Sequence, residues 1–295
     1  MTGQSSFHIW LLAARPKTLP AGIVPVLVGG VIAYSHNGFA LLPFLAALFG
    51  SIMIQIGTNF ANDLFDFKKQ TDREDRIGPL RVTQAGLVTP KQTAMATAIA
   101  FGLATLAGIY LVYIGGWPIV IIGTASILCG ILYTAGPYAL GYLGLGEIFV
   151  LVFYGPVALA GTYYVQTLKC PTEVIIAGLP FGMISTAILI VNNLRDIETD
   201  KKSGKNTLAV RFGPTFARIE YAVMIAGAGV IPPLMTIMEF GNKFLYVTIA
   251  YLLFAPGAVR AVFSSNDGER LNATLAATGR LLIIYGICFS IGWLL

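Results

Sequence analysis

Charge is scarce in this chain. Only 11% of its 295 residues are Asp, Glu, Lys or Arg, against roughly 25% in an ordinary soluble domain. Histidine is scarcer still: His8 and His36 are the whole supply, which argues against a His-ligated haem or zinc site. Cys129, Cys170 and Cys288 are isolated and odd in number, so neither a disulfide framework nor a CxxC site is present. No GxxxxGK[ST] loop occurs, which removes P-loop chemistry. No basic segment precedes the short apolar stretch from Ile9 to Ala14, so a cleavable signal peptide is not expected. What fills the chain is apolar. Hydrophobic residues make up 56% and mean hydropathy is +0.76. A globule of this size cannot hide that surface, so the expected solvent is the lipid bilayer.

Transmembrane helices need about 20 mostly apolar residues. Nine segments qualify, near 18–36, 40–62, 93–113, 117–136, 146–167, 173–194, 217–239, 243–263 and 273–294. They do not alternate in polarity as barrel strands would, and helices satisfy their own backbone in lipid. The expectation is an all-α integral membrane protein, one membrane-embedded domain over 1–295. With the N-terminus cytoplasmic and nine spans, the C-terminus lies outside. All of the 19 Lys and Arg residues then fall on the cytoplasmic side except Lys169 and Lys243, a strong bias under the positive-inside rule.

Two cytoplasmic connections are long and polar, roughly 63–92 and 195–216. Each follows a helix ending in a similar string, Asn62-Asp63-Leu64-Phe65-Asp66 and Asn192-Asn193-Leu194-Arg195-Asp196. The two strings stand in register 130 residues apart. This reads as two related four-helix units plus one further helix, a form of internal symmetry common in membrane folds.

Asn62 and Asp66 are four residues apart, as are Asn192 and Asp196, and Asp196 and Asp200. On a helix each pair shares a face. Asp72 follows Asp66 by six and needs the helix to have ended. Oxygen-rich faces at a bundle mouth suit a hard cation such as Mg2+, which takes carboxylates together with phosphate oxygens. Bases are interleaved with these acids: Lys68, Lys69, Arg73, Arg76 and Arg81 in the first cluster, Arg195, Lys201, Lys202 and Lys205 in the second. Singly each base serves as a topology signal. Together with the acids they point to a metal-bridged anion, most simply a diphosphate. Arg15 and Lys17 precede the first span on the same face, as N-terminal anchors or as partners of an anion. Tyr133 and Tyr138 flank the short 136–145 loop, where tyrosines anchor at the interface or line a pocket; Tyr133 is the candidate for the second role.

The pattern Asn62-x-x-x-Asp66-x-x-x-x-x-Asp72, with Asn192-Asn193-x-Arg195-Asp196-x-x-x-Asp200, resembles the two aspartate motifs of the UbiA-type intramembrane prenyltransferases. The strings Ala14-Arg15-Pro16-Lys17-Thr18-Leu19-Pro20, Asp75-Arg76-Ile77-Gly78-Pro79-Leu80-Arg81, Tyr133-Thr134-Ala135-Gly136-Pro137 through Gly144-Leu145-Gly146-Glu147, and Gly204-Lys205-Asn206-Thr207-Leu208 are similar to the menaquinone branch, the 1,4-dihydroxy-2-naphthoate polyprenyltransferases. Much of the superfamily has its second acid where Gln70 stands here; the longer spacing to Asp72 fits that branch. The resemblance implies nine helices around a cavity open sideways to lipid. It implies Mg2+ held by Asn62, Asp66, Asp72, Asn192, Asp196 and Asp200, with Asp66, Asp196 and Tyr133 as catalytic candidates. Arg15, Lys17, Lys68, Arg76, Arg81, Arg195, Lys201 and Lys205 would bind substrate. The reaction implied is polyprenyl transfer from a polyprenyl diphosphate to an aromatic acid, with loss of its carboxylate, at the inner (plasma) membrane and with no nucleic acid involved. A transporter, an intramembrane aspartyl protease and a prenyltransferase for 4-hydroxybenzoate, homogentisate or a porphyrin stand as alternatives. A transporter would carry its charges near the midplane, and a protease would not bring a cluster of bases in each loop.

Overall fold

The computed structural model describes residues 5–69, 78 and 80–295, and every described element is helical or irregular. The expected spans all fall on helix. Ser6–Ala14 (α1) runs through a 3₁₀ turn into Leu19–Ser35 (α2); Leu41–Lys68 (α3) and Pro90–Gly115 (α4) form a hairpin with Trp117–Leu132 (α5). The second half repeats this order with Gly146–Val152 (α6) and Ala158–Thr167 (α7) as one broken span, then Thr172–Arg195 (α8), Ile197–Lys202 (α9) and Leu208–Ile237 (α10). A 3₁₀ stretch over Lys243–Leu253 leads into Ala255–Ser264 (α11), and Gly268–Leu294 (α12) closes the chain. Among the described residues seven helices are long and apolar enough to cross a membrane. An eighth span results if Lys243–Leu253 and α11, bent by 44°, are taken together. The ninth expected segment is α5, whose 16 residues span about 24 Å, less than the ~30 Å hydrocarbon core.

The internal repeat is visible as packing. α3 lies along α4 in the first half, α8 lies along α10 in the second, and α2 and α7 pack on each other between the halves. α8 is the most enclosed span, 72% buried over its apolar window, and α4 among the least, at 17%. Phe181 on α8 meets Tyr285 of α12 edge-on at 5.1 Å, and Tyr285 meets Tyr251 in the same way at 4.9 Å. Aromatic pairs prefer this edge-to-face arrangement.

Three boundaries depart from the sequence expectation, each for a local reason. The span expected at 146–167 is broken by a π-helical turn over Phe153–Val157. Pro156 brings no N–H to the helix there, and Gly155 takes φ −117°, ψ −106°. The break lets the backbone touch α8. A Cβ on Gly182 would stand 2.1 Å from the Leu151 carbonyl oxygen, and one on Gly178 2.6 Å from Pro156 Cα. Second, the polar connection 195–216 is largely helical, holding α9 and the start of α10. Thr207 caps α10 by accepting from Val210 N, and the break expected near 217 is instead a kink at Gly213, φ 83°, just before Pro214. Third, α4 begins at Pro90, because Thr89 and Gln92 form a capping box.

Candidate functional site

A cavity of about 650 Å³ lies between the two halves. Its body is apolar, walled by Ile54, Ile109, Val112, Ile127, Phe149 and Phe153. Its mouth lies where α3, α8 and α9 end and is lined by Asn62, Asp66, Arg81, Asn192, Asp196, Asp200 and Lys205.

Asn62 and Asp66 share the face of α3 that looks into this mouth, as their spacing predicts. Asp66 is buried and accepts from Arg81 Nη2 at 2.9 Å and from the Tyr142 hydroxyl at 2.9 Å. Lys205 reaches the same carboxylate at 3.5 Å and Asp200 at 3.8 Å. One ammonium thus links an acid of the first half to an acid of the second. Asn62 Oδ1 accepts from Thr134 Oγ1. Asp196 caps α8 and is gripped by Arg195, whose Nε and Nη2 donate to its two oxygens at 2.7 and 2.6 Å. Arg195 also donates to Asn192 Oδ1 at 2.8 Å and Asn272 Oδ1 at 2.6 Å. A guanidinium so engaged works as a brace between α8 and α12.

The remaining expected residues divide by position. Arg15 takes φ 53° at the end of α1 and lines the cavity, while Lys17, two residues on, is exposed and outside it. Tyr133 lines the cavity; Tyr138 is 78% exposed, as an interface anchor would be. Lys68 and Lys201 are exposed and do not line the cavity. Asp72 and Arg76 lie outside the described residues.

Tyr142 and Tyr154 carried no signal in the sequence, and Lys69 and Asp63 gave no sign there of their partners. Tyr142 holds Asp66 and receives two ammonium groups on its ring, Lys69 at 4.1 Å and Lys205 at 5.1 Å. Lys69 Nζ also donates to the Gly136 carbonyl at 2.9 Å. Burial pulls the Lys69 pKa below the usual lysine value; Asp66 opposes that shift and Lys205 adds to it. Asp63, next to Asn62, turns away from the cavity and accepts from Thr83 N and Oγ1 at 3.3 and 3.1 Å. That contact pins the loop carrying Arg81. Deeper down, Tyr154 donates to Gln55 Oε1.

Among the described residues no three His, Cys, Asp or Glu side chains converge into a metal cage. The mouth nevertheless offers carboxylate and amide oxygens beside cationic donors, over an apolar chamber. That combination suits an amphiphile with a polyanionic head and a hydrocarbon tail. The chain belongs to the UbiA prenyltransferase family, matching it over residues 22–287, and is an integral multi-pass membrane protein. It is 35% identical over 298 residues to the 1,4-dihydroxy-2-naphthoate octaprenyltransferase of Haemophilus influenzae, covering 97% of this chain and 96% of that protein. It is 36% identical over 290 residues to the protein of the same name from Mycobacterium tuberculosis, covering 97% of each. A UbiA homologue from Archaeoglobus fulgidus bound to DMAPP and Mg2+ superposes with a TM-score of 0.66 at 17% identity, over 96% of this chain and 99% of that one. An apo UbiA homologue from Aeropyrum pernix K1 gives 0.69 at 13% identity, over 98% and 99%. At such identities these structures speak for the fold alone. The family leaves no place for the transporter and protease alternatives.

Proposed function

We propose that this protein transfers a polyprenyl group from a polyprenyl diphosphate to 1,4-dihydroxy-2-naphthoate, with loss of the ring carboxylate as CO2, giving demethylmenaquinol, the reduced form of demethylmenaquinone. One observation carries the prenyl-transfer reading: Lys205 joins Asp66 and Asp200 at the mouth of an apolar chamber, so both aspartate motifs serve one site. The naphthoate acceptor is taken from the full-length relatives that bear its name.

Mg2+ fits the donor set, because Asn62, Asp66, Asn192, Asp196 and Asp200 present hard oxygens to one cavity and magnesium takes few carboxylates alongside substrate phosphates. Bound there it would neutralise charge developing on the leaving diphosphate. Arg81 and Lys205 turn their donors to the same phosphate oxygens, where charge-assisted hydrogen bonds are strongest. Phe149, Phe153 and Tyr154 line the chamber. They exclude water from the allylic cation left by heterolysis. The electron-rich ring attacks, a C–C bond forms at the carbon bearing the carboxylate, and that carboxylate departs as CO2, returning its bonding pair to the ring. Asp66 and Asp196 position the head group, and Tyr133 stands on the cavity wall. Within this reading the whole chain acts as one membrane-embedded domain of the inner (plasma) membrane, N-terminus cytoplasmic and C-terminus outside.

The test is turnover of purified protein with a labelled polyprenyl diphosphate and a panel of aromatic acids. Product and CO2 release are expected with 1,4-dihydroxy-2-naphthoate. Efficient product from 4-hydroxybenzoate or homogentisate, with none from the naphthoate, would overturn the acceptor.

A further inference from the structure

Glu147 and Asn193 take no part in the ionic mouth. Glu147 opens α6 and is buried, with no Lys or Arg in ion-pair reach among the described residues. Its Oε1 accepts from Asn193 Nδ2 at 2.8 Å, and its backbone carbonyl accepts from Thr186 Oγ1 at 3.3 Å. The amide thus turns its NH2 group toward Glu147. Asn193 Oδ1 is thereby directed away from Glu147. Asn193 is 5% exposed and lines the cavity, and its Oδ1 has no partner among the described residues. The neighbouring Asn192 is used differently, its Oδ1 accepting from Arg195. Beside Glu147, the Tyr133 hydroxyl and Leu189 both crowd Gly146, and both line the cavity, so a flat ring has walls there.

An amide oxygen held in one orientation on the cavity wall, with no donor among the described residues, is an acceptor presented to whatever enters. The reactants limit what can donate to it. An ionised diphosphate and an ionised ring carboxylate offer no donor, and a prenyl tail has none. A hydroxyl of the aromatic acceptor does. We infer that Asn193, oriented by Glu147, reads a hydroxyl of that acceptor and sets the ring over the chamber; the assignment rests on the prenyl-transfer reading above. Asn193 is a binding residue and Glu147 a positioning residue acting through it.

The decisive measurement is acceptor binding with prenyl diphosphate absent and divalent metal chelated, read from the fluorescence of 1,4-dihydroxy-2-naphthoate. Asn193→Leu should raise its Kd by about tenfold, roughly the loss of one buried hydrogen bond, with the Michaelis constant for prenyl diphosphate and the magnesium requirement unchanged. Of 1-hydroxy-2-naphthoate and 4-hydroxy-2-naphthoate, the one lacking the recognised hydroxyl should bind wild type and Asn193→Leu alike. Glu147→Leu should raise the acceptor Michaelis constant with turnover at saturation largely kept. Glu147→Gln retains an accepting oxygen and should restore that constant to within about threefold. This pair decides the matter if Asn193→Leu fails to insert. Equal naphthoate binding by wild type and Asn193→Leu overturns the inference. So does a change confined to prenyl diphosphate or magnesium, which would place Asn193 at the ionic mouth. Wild-type protein that prefers 4-hydroxybenzoate overturns the naphthoate reading alone, and the same variants are then compared with that phenol.

Discussion

Asp66 and Asp196 hold equivalent places in the two halves yet are held in different ways. Asp66 is served by groups from distant loops, Arg81, Tyr142 and Lys205, whereas Asp196 is gripped by its own neighbour Arg195. Asp66→Ala or Asp196→Ala should lower turnover by roughly a hundredfold or more at saturating Mg2+, since charge stabilisation on the leaving group contributes several kcal/mol. Both variants should remain inserted; near-normal turnover in either would remove the motifs from the site. Arg195→Leu is expected to act on stability as well. It removes two charge-assisted hydrogen bonds to the Asp196 carboxylate and the bonds to Asn192 and Asn272, and a bond to a charged group contributes about 1.5–3 kcal/mol, so a clear drop in melting temperature in detergent should accompany the loss of activity, and an unchanged melt would refute the bracing role. The acid pairs were legible in the sequence because four-residue spacing puts two side chains on one helical face. Tyr142 was not, because its partner lies 76 residues away and no local period records such a contact. The two-residue separation of Arg15 and Lys17 already implied that at most one of them reaches the cavity; that it is Arg15 was hidden, since this turns on its left-handed backbone.

Among the elements, the positions of the helices followed from hydropathy, while their breaks followed from residues that hydropathy ignores. Apolar content runs unbroken through 146–167, and only the pairing of Gly155-Pro156 with Gly178 and Gly182 across the interface explains the π turn. Small residues let helix backbones approach closely in membranes. Gly182→Ala should therefore destabilise the fold by roughly 1–3 kcal/mol through overpacking, because its methyl would meet a carbonyl oxygen rather than a movable side chain. Gly102→Ala on α4, where nothing lies within 4 Å of the added carbon, is the matched control. Thermal denaturation of the two in the same detergent separates them; equal melting temperatures would mean that the crossing yields easily. The start of α10 at Leu208 was hidden for a related reason: lysines nearby read as a loop, although Thr207 supplies the helix cap.

For the whole molecule, the orientation proposed from the charge distribution can be tested directly. Cys170 is exposed beside Lys169 at the end opposite the ionic mouth. In intact cells an impermeant thiol reagent should label Cys170 from outside. A cysteine placed at Gln70, in a chain whose native cysteines are replaced, should stay unlabelled until the membrane is opened. External labelling at position 70 would invert the whole arrangement.

The tie from Lys205 to Asp66 and Asp200 has a consequence for how the resting protein survives in lipid. Two acids meeting at the end of a low-dielectric bundle would repel each other and pull water toward the chamber. Lys205 acts as a tethered counter-ion, so the mouth sits near local neutrality before any substrate arrives. Under the proposed function, substrate capture would be an exchange, the ammonium loosening its hold on the carboxylates and turning to phosphate oxygens of a diphosphate that arrives with magnesium. The local charge would then change little across the cycle.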